Sequence, residues 1–308
     1  MLMERGVTLD QLRIFVAVAE RQHVTHAAEA LNVAQSAASH AIASLEDRHQ
    51  TKLFNRIGRN IELTDAGQAF LKEARAVLAT VEAAELALME FSDLKRGVLS
   101  VRASHTIANY WLPRHLAAFR RAYPQIEIRA SIGNTAQVAT AVENRETELG
   151  FVEAAIHSEQ LTSTTVARDQ IIIVVAPYHE LLKRKPLSPT DLMELEWVLR
   201  ERGSGTRAVF EDALVAFGLD ARALRIALEL PSNEAVRAAV EAGLGAAAIS
   251  ASVAAPSLEA GLLQQINFRL PEREFYVLTH RDRHPSRAAR AFLATLTAAR
   301  TRKTRAPA

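Results

Sequence analysis

The chain has 308 residues, of which 49% are hydrophobic and 23% are charged, and its formal net charge is +2. This length is sufficient for two or three domains that each bury a core. The absence of cysteine excludes disulfides, thiolate metal sites and thiol nucleophiles. No apolar run approaches the roughly 18 residues of a membrane span, and the first residues lack the pattern of an export signal. We therefore expect a cytoplasmic protein.

The N-terminal region is predicted to contain three helices and then an extended hairpin. Thr8 and Gln11 have the spacing of a capping box that begins the first helix. A second helix is expected from an N-cap at Thr25, and a third from Gln35 to about His49. Two helices joined by a short turn and followed by a basic hairpin are typical of proteins that read duplex DNA. The polar outer face of the third helix is also typical of a merely solvated helix, but the turn spacing and the hairpin favour DNA.

A long helix is predicted from Thr64 to about Ser92, with apolar residues at heptad spacing. Such a helix does not bury its apolar seam alone, so we expect it to pair with a second copy of the chain. The alternative is a long amphipathic helix that packs on its own chain. The candidate dimerisation residues are Phe70, Ala74, Val77, Val81 and Leu88.

Strands and helices alternate from Val98 to the closing helix at Ser286–Arg300. Two separate strands are predicted at Leu161–Val166 and Ile171–Ala176, and a helix at Ser188–Glu194. Strand–helix alternation predicts a mostly parallel sheet. About 200 residues of this pattern exceed one small sheet, so we expect two α/β lobes with a ligand cleft at the carboxyl ends of the strands.

Four turns at predicted strand-to-helix junctions are rich in hydroxyl and amide side chains. They are Ser104-His105-Thr106, Gly133-Asn134-Thr135, Gly203-Ser204-Gly205-Thr206-Arg207 and Pro231-Ser232-Asn233. Helix N-termini present free N–H groups that attract anions. A single turn of this kind is more often simple N-capping, but four in a two-lobed fold favour convergence on a small anion.

The motif Leu53-Phe54-x-Arg56-x-x-Arg59-x-x-x-Leu63-Thr64-x-Ala66-Gly67 resembles the wing-to-linker segment of the LysR-type transcriptional regulators. The stretches Phe15-x-Ala17-Val18-Ala19-Glu20 and Thr25-x-Ala27-Ala28-x-x-Leu31-x-Val33-x-Gln35-x-Ala37-x-Ser39 resemble the helix-turn-helix half of that family. The resemblance covers essentially the whole chain. It implies an α/β protein overall, with a winged helix-turn-helix, a long dimerising linker helix and a two-lobed domain of the periplasmic-binding-protein type.

The resemblance implies a domain organisation with four segments. Residues 1–65 would form the DNA-binding domain, 66–93 the linker helix, 94–97 a hinge and 98–302 the effector-binding domain. Lobe I would comprise about 98–167 and 271–302, and lobe II about 168–270. A homodimer, and commonly a homotetramer, would bind an inverted-repeat site on double-stranded DNA.

The recognition helix departs from the family pattern at its start. The family usually has Ser-Gln-Pro where this chain has Ala34-Gln35-Ser36, and Arg where it has His40. Loss of the serine removes an N-cap worth about 1 kcal/mol, and histidine is a weaker, pH-dependent cation. We expect a different half-site preference and weaker electrostatic anchoring than in typical relatives.

Roles at the DNA interface follow from side-chain chemistry and from the resemblance. Gln35 and Ser39 are predicted to contact base edges in the major groove. Arg59 on the wing tip is predicted to enter the minor groove. The predicted phosphate contacts are Thr25, Ser36, His40 and Arg56.

The four turns resemble those of one subgroup, whose known members control sulfur assimilation or carbon fixation. The resemblance implies a small oxyanion, such as sulfite or sulfate, or a phosphorylated or carboxylated metabolite. Glu153 is predicted to be a lobe-hinge or hydrogen-bonding residue. The predicted effector contacts are Ser104, Thr106, Asn134, Thr135, Ser204 and Thr206, with Arg207 as a charge partner.

Other classes of function fit the sequence less well. Gly203-Ser204-Gly205 has neither the spacing of a nucleophile elbow nor the lysine of a phosphate-binding loop. His280 and His284 lie beside arginines that would repel a metal ion, so no enzyme activity, metal or cofactor is expected. A neutral or larger effector remains an alternative. A stand-alone solute receptor would explain the cleft but not the helix-turn-helix.

Overall fold

The computed structural model describes residues 6–57, 60–89, 97–183 and 187–303. Within these ranges the side chains of Arg56 and Leu88, among others, are not described. Residues 94–96 of the predicted hinge and Arg59 of the predicted wing tip lie outside the described residues. The chain forms two compact units, which are described separately below.

The first unit is a winged helix-turn-helix followed by a long helix. The hairpin is antiparallel and pairs Phe54 with Leu63 and Ile57 with Asn60. The elements are α1 (Leu9–Arg21), α2 (Val24–Ala30), α3 (Gln35–His49), β1 (Phe54–Ile57), β2 (Asn60–Leu63) and α4 (Asp65–Met89).

Local capping explains where the first helices begin. The predicted capping box is confirmed, because the backbone N–H of Gln11 donates to Thr8 Oγ1 at 3.2 Å and that of Thr8 donates to Gln11 Oε1 at 3.1 Å. The predicted N-cap at Thr25 is wrong. His23 caps α2 instead, since its Nδ1 accepts the backbone N–H of His26 at 3.4 Å. An imidazole nitrogen here takes the acceptor role that a hydroxyl or carboxylate usually has.

The core of the first unit centres on Phe15, which is fully buried on α1. Its ring centroid lies 5.4 Å from that of Phe54 on β1 and 4.8 Å from that of Phe70 on α4. Ala74 is also buried in this core. Phe70 and Ala74, predicted to face a second copy, therefore pack within their own unit, whereas Val77 is 45% exposed.

The described residues of the second unit form a mixed α/β structure with nine strands. A π-helical segment, Ile107–Trp111, precedes α5, and the helix predicted at Ser188–Glu194 is a 3-10 helix, Pro189–Glu194. The strands are β3 (Gly97–Ser104), β4 (Ile126–Gly133), β5 (Leu149–Val152), β6 (Leu161–Val175), β7 (Glu196–Arg200), β8 (Arg225–Leu230), β9 (Ala246–Ser250), β10 (Gln264–Gln265) and β11 (Glu272–His280). The helices are α5 (Leu112–Ala122), α6 (Thr135–Glu143), α7 (Gly205–Ala216), α8 (Asn233–Glu241), α9 (Ala251–Glu259) and α10 (Arg287–Lys303).

Strand order shows two lobes joined by crossing strands. The order is β4-β3-β5-β11-β6-β9-β7-β8, with β10 paired to β6. The outer pairs are parallel, but β11 is antiparallel to β5 and β6, and β6 is antiparallel to β9. The prediction of a mostly parallel sheet is therefore wrong at the centre of the strand order. There β6 and β11 run between the two lobes in opposite directions and pair antiparallel. The two strands predicted at Leu161–Val166 and Ile171–Ala176 are one strand, β6.

Each lobe has its own hydrophobic core, which is why the two can form separate layers around a cleft. The first lobe packs the rings of Trp111, Phe119, Phe151 and Phe292. The second lobe is built around Trp197, which is fully buried and donates its indole N–H to the backbone oxygen of Leu192 at 2.9 Å. Among the described helices, none is both long and apolar enough to cross a membrane.

Replacing Phe15 with alanine should destabilise the first unit by about 3–5 kcal/mol, because loss of the ring leaves a cavity between α1, β1 and α4. Calorimetry should show a lower melting temperature for this unit. Trp111 and Trp197 both lie in the second unit, so the tryptophan fluorescence transition should stay in place. Leu9→Ala, on the same helix but 37% exposed, is the matched control and should have a much smaller effect.

Candidate DNA-reading surface and effector cleft

The start of α3 presents a polar face while its opposite face packs inward. Ala38 and Leu45 are buried, whereas Gln35, Ser36 and His40 are exposed. Ala34, at the N-cap, makes no side-chain capping bond, as the departure from the family pattern predicts.

The side chains predicted to contact DNA are partly organised before DNA binds. The Gln35 amide donates to Ser39 Oγ at 3.0 Å, so the two predicted base-contacting residues are already paired. Thr25 is exposed on α2. Arg56 lies on β1 opposite Ile61, but its side chain is not described.

Three of the four predicted effector turns carry buried hydroxyls. Ser104 ends β3 and Thr106 follows it, Thr135 begins α6, and Ser204 and Thr206 lie at the start of α7. All five side chains are at most 5% exposed. Asn134 is half-buried beside them. The residues predicted as effector contacts are therefore held inside the molecule rather than on its surface.

The turns converge from the two lobes. A Cβ atom on Gly205 of α7 would lie 2.5 Å from Thr135 Oγ1, so only glycine permits this approach. The backbone N–H of Ala136 donates to the carbonyl oxygen of Gly203 at 3.2 Å. The fourth turn meets the first, because Asn233 Nδ2 donates to Thr106 Oγ1 at 2.9 Å. The four turns that the sequence singled out thus meet in pairs, each pair joining one lobe to the other.

The buried hydroxyl of Ser104, at the first of these turns, lacks a hydrogen-bond partner among the described residues. The residue is 2% exposed. Buried polar groups are nearly always hydrogen-bonded, because an unpaired one costs roughly 1–3 kcal/mol. A ligand oxygen would satisfy this hydroxyl.

Arg200 at the end of β7 is a buried cation that the sequence analysis missed. Its side chain is 3% exposed and donates to both carboxylate oxygens of Glu201 at 2.8 and 2.9 Å and to Asn233 Oδ1 at 2.7 Å. Burial alone would raise the pKa of Glu201, but the hydrogen bonds and charge of Arg200 hold it below its ordinary value. Burial and the charge of Arg200 together lower the pKa of His105, which favours its neutral form.

Arg207 does not lie in the cleft as an unpaired cation, which corrects its predicted role. Its Nε donates to Glu211 at 2.7 Å, and its Nη1 donates to Glu229 and to the backbone oxygen of Arg200. These two carboxylates raise the pKa of Arg207 against the opposite effect of burial. The helical i, i+4 spacing from Arg207 to Glu211 is the sequence signal for the first of these pairs.

A second buried ion pair joins the cleft to the crossing strands. Arg273 on β11 donates from Nε and Nη2 to Asp169 Oδ2 on β6, at 2.8 and 2.6 Å, and from Nη1 to Thr206 Oγ1 at 3.0 Å. Ser250 Oγ donates to the other oxygen of Asp169 at 2.9 Å. The start of α7 is therefore attached directly to the strands that connect the lobes.

Further contacts complete the cleft. Glu153 is 3% exposed and accepts a hydrogen bond from Thr135 Oγ1 at 3.2 Å. Glu234 of α8 accepts from Asn109 Nδ2 at 3.2 Å and from Tyr110 Oη at 3.1 Å, both in the π-helical segment of the other lobe. Burial, and then the charge of Glu234, raises the pKa of Tyr110, which keeps it a donor.

The comparison with known families agrees with this architecture. The family model "Bacterial regulatory helix-turn-helix protein, lysR family" matches residues 9–68, and "LysR substrate binding domain" matches residues 92–301. The chain belongs to the LysR family of transcriptional regulators, with a DNA-binding and an effector-binding domain.

Two relatives are similar over nearly the whole chain. The uncharacterised HTH-type transcriptional regulator YeiE of Escherichia coli K12 is 34% identical over 289 residues, covering 93% of this chain and 96% of that protein. A probable RuBisCO transcriptional regulator of Cyanidioschyzon merolae is 33% identical over 290 residues, covering 92% and 96%.

Two solved structures have the same fold. CbnR, a LysR family regulator, superposes with a TM-score of 0.69 at 22% identity, covering 94% of this chain and 98% of that one. The regulatory domain of CcmR from Synechocystis PCC6803, in complex with 2-PG, superposes with a TM-score of 0.60 at 26% identity, covering 66% of this chain and 97% of that one.

Replacing Arg273 with alanine should destabilise the second unit by about 3–5 kcal/mol, because Asp169 would remain as a buried, uncompensated charge. Urea denaturation followed by tryptophan fluorescence measures this unit. The matched control is Arg222→Ala, which removes an arginine that is 92% exposed and paired with Asp220, and it should leave the transition unchanged. An unchanged transition in Arg273→Ala would contradict a structural role for the pair.

Proposed function

We propose that this LysR-family regulator responds to a small anion bound between the lobes of its effector domain. The observation that carries the proposal is the buried Ser104 hydroxyl, which has no partner among the described residues and lies where the turns of both lobes meet. An anion supplies the acceptor oxygens that such a hydroxyl requires.

Two helix N-termini in the surroundings of Ser104 favour negative charge, although the buried carboxylate of Glu153 opposes it. The turns at Thr135 and Gly205 each begin a helix, whose N-terminal N–H groups and dipole attract anions. Arg200 and Arg273 add positive charge nearby, but each already has a carboxylate partner. Neutral donors would therefore make most of the contacts, as suits a compact oxyanion.

The names of relatives support a class of anion. CcmR was solved with 2-PG, and several relatives are named as probable RuBisCO transcriptional regulators. These names support a phosphorylated or carboxylated metabolite, and the small size of the turns supports a simple oxyanion such as sulfite or sulfate. A neutral or larger effector is the second candidate, supported by the pairing of the cleft arginines.

Thermal shift measurements decide between these classes. Sulfite, sulfate, phosphate and 2-PG should be compared with chloride at equal ionic strength. A ligand at 100 times its Kd stabilises the folded protein by about 2.7 kcal/mol, which raises the melting temperature by several degrees. Stabilisation by neutral metabolites, with none by any of the four anions, would contradict the proposal.

Ser104→Ala should weaken binding of the stabilising anion about tenfold or more, since a hydrogen bond to a charged group contributes about 1.5–3 kcal/mol. Ser100→Ala is the matched control, because Ser100 lies on the same strand with its Oγ 3.3 Å from Thr147 Oγ1, outside the cleft. Isothermal titration of the two variants should separate them. Equal affinity of the two variants for the anion would contradict a contact between Ser104 and the anion.

For DNA binding, we propose that Gln35 and Ser39 contact base edges and that Thr25, Ser36, His40 and Arg56 contact phosphates. The exposure of Gln35, Ser36 and His40 on one side of α3 supports this assignment. The exposed Val77 on α4 supports pairing of two linker helices. A homodimer or homotetramer would then bind an inverted repeat.

Arg56→Ala should weaken binding to all duplexes about equally and lower the slope of log affinity against log salt by about one, since one phosphate contact is lost. Gln35→Ala should instead change the preferred sequence. Selection of duplexes from a random pool by each variant, followed by titrations at several salt concentrations, measures both effects. An unchanged preference in Gln35→Ala would contradict base contact.

We propose lobe closure as the link between the two sites. Asn233 of the second lobe donates to Thr106, and Glu234 accepts from Tyr110 of the first lobe, so any opening of the lobes would have to break these bonds. An anion that contacts both lobes shifts this equilibrium only if it binds one position better. Identical small-angle scattering profiles and footprints with and without the anion would contradict the link.

A further inference from the structure

The recognition helix carries a buried carboxylate, Glu46, that none of the DNA-contact assignments uses. Its side chain is 9% exposed, although a carboxylate on a helix that reads DNA works against binding to a polyanion. Burying a charge is costly unless it is paired and hydrogen-bonded. The contacts of Glu46 therefore indicate what it does.

All the described hydrogen bonds of this carboxylate go to the segment that leads into the wing. Oε1 accepts the backbone N–H of Leu53 at 2.9 Å and that of Phe54 at 3.2 Å, and Oε2 accepts Lys52 Nζ at 2.6 Å. Burial would raise the pKa of Glu46, but these three donors hold it below its ordinary value. The group is therefore an ionised acceptor at neutral pH.

The same segment is held from its other side by the start of α4. Thr64 donates its backbone N–H to the oxygen of Leu53 at 3.0 Å and its hydroxyl to the oxygen of Lys52 at 2.7 Å. A Cβ atom on Gly67 would lie 2.1 Å from the Leu53 oxygen, so the helix approaches as closely as the backbone allows. The residues before the wing are thus held between α3 and α4.

We infer that Glu46 is a positioning residue for DNA binding, which sets the wing relative to the recognition helix. Strand β1 begins at Phe54, whose backbone N–H is bound by Glu46, and Arg56 follows two residues later. Two consecutive backbone N–H groups on one carboxylate oxygen determine both the place and the direction of the strand. Glu46 therefore acts on DNA through the wing and makes no contact with DNA itself.

Replacement of Glu46 separates hydrogen bonding from charge. Glu46→Ala leaves both backbone N–H groups without their acceptor and should weaken DNA binding about tenfold or more. Glu46→Gln keeps an oxygen for both N–H groups, while Lys52, whose side chain is 73% exposed, turns to solvent. It should bind within about threefold of wild type. The probe is a duplex that the wild-type protein selects from a random pool.

Asp47→Ala is the matched control. It removes an exposed carboxylate from the next position on the same helix, and should leave affinity unchanged or slightly higher because a negative charge is lost. In hydroxyl-radical footprints, Glu46→Ala should lose only the wing's protection of the DNA that flanks the recognition-helix site. Melting curves show which variants are folded, and the isosteric Glu46→Gln decides the question if the alanine variant is not.

A double-mutant cycle with Arg56→Ala tests the route through the wing. If Glu46 acts by placing β1, the double variant Glu46→Ala/Arg56→Ala should bind within about twofold of the weaker single variant. Independent effects would multiply, and that result would overturn the inference. So would a Glu46→Gln variant as weak as Glu46→Ala, because charge rather than placement would then be at work.

Discussion

The second unit depends on one buried ion pair, Asp169 with Arg273, at the point where two strands cross between the lobes. Both side chains are at most 8% exposed, and their remaining donors and acceptors reach Thr206 and Ser250 in the second lobe. A buried pair of this kind contributes little net stability over an apolar pair, but it requires specific geometry. The start of α7 therefore keeps a defined orientation toward the crossing strands, and the cleft forms around it.

Much of the architecture could be predicted from the sequence because it rests on local rules. The Thr8 capping box and the alternating strands and helices of the second unit are examples, and the wing motif indicated the family. The central strands could not be predicted in this way. The polar residues Arg168 and Asp169 interrupt an apolar pattern and favour two strands, yet they pair with Glu274 and Arg273 on a neighbouring strand that is distant in sequence.

The candidate site shows the same division between local and distant information. The turns that converge in the cleft were found from residue types at strand ends, where helix N-termini create the same chemistry in many folds. The pairing of Arg207 with Glu229, the burial of Arg200 and the hydrogen bonds of Glu46 depend on partners that only the fold brings together. Likewise, heptad spacing did not separate Phe70 and Ala74, which pack within their own unit, from the exposed Val77.

The pairing of every cleft arginine described above has a consequence for how the protein responds to its surroundings. Arg200, Arg207 and Arg273 are each neutralised by a neighbouring carboxylate. Electrostatic interactions in a buried site are screened by dissolved ions much less than exposed ones, whereas attachment to phosphates weakens steeply as salt increases. If the proposed anion is held mainly by such buried groups, a rise in ionic strength should weaken attachment to DNA more than binding of the effector.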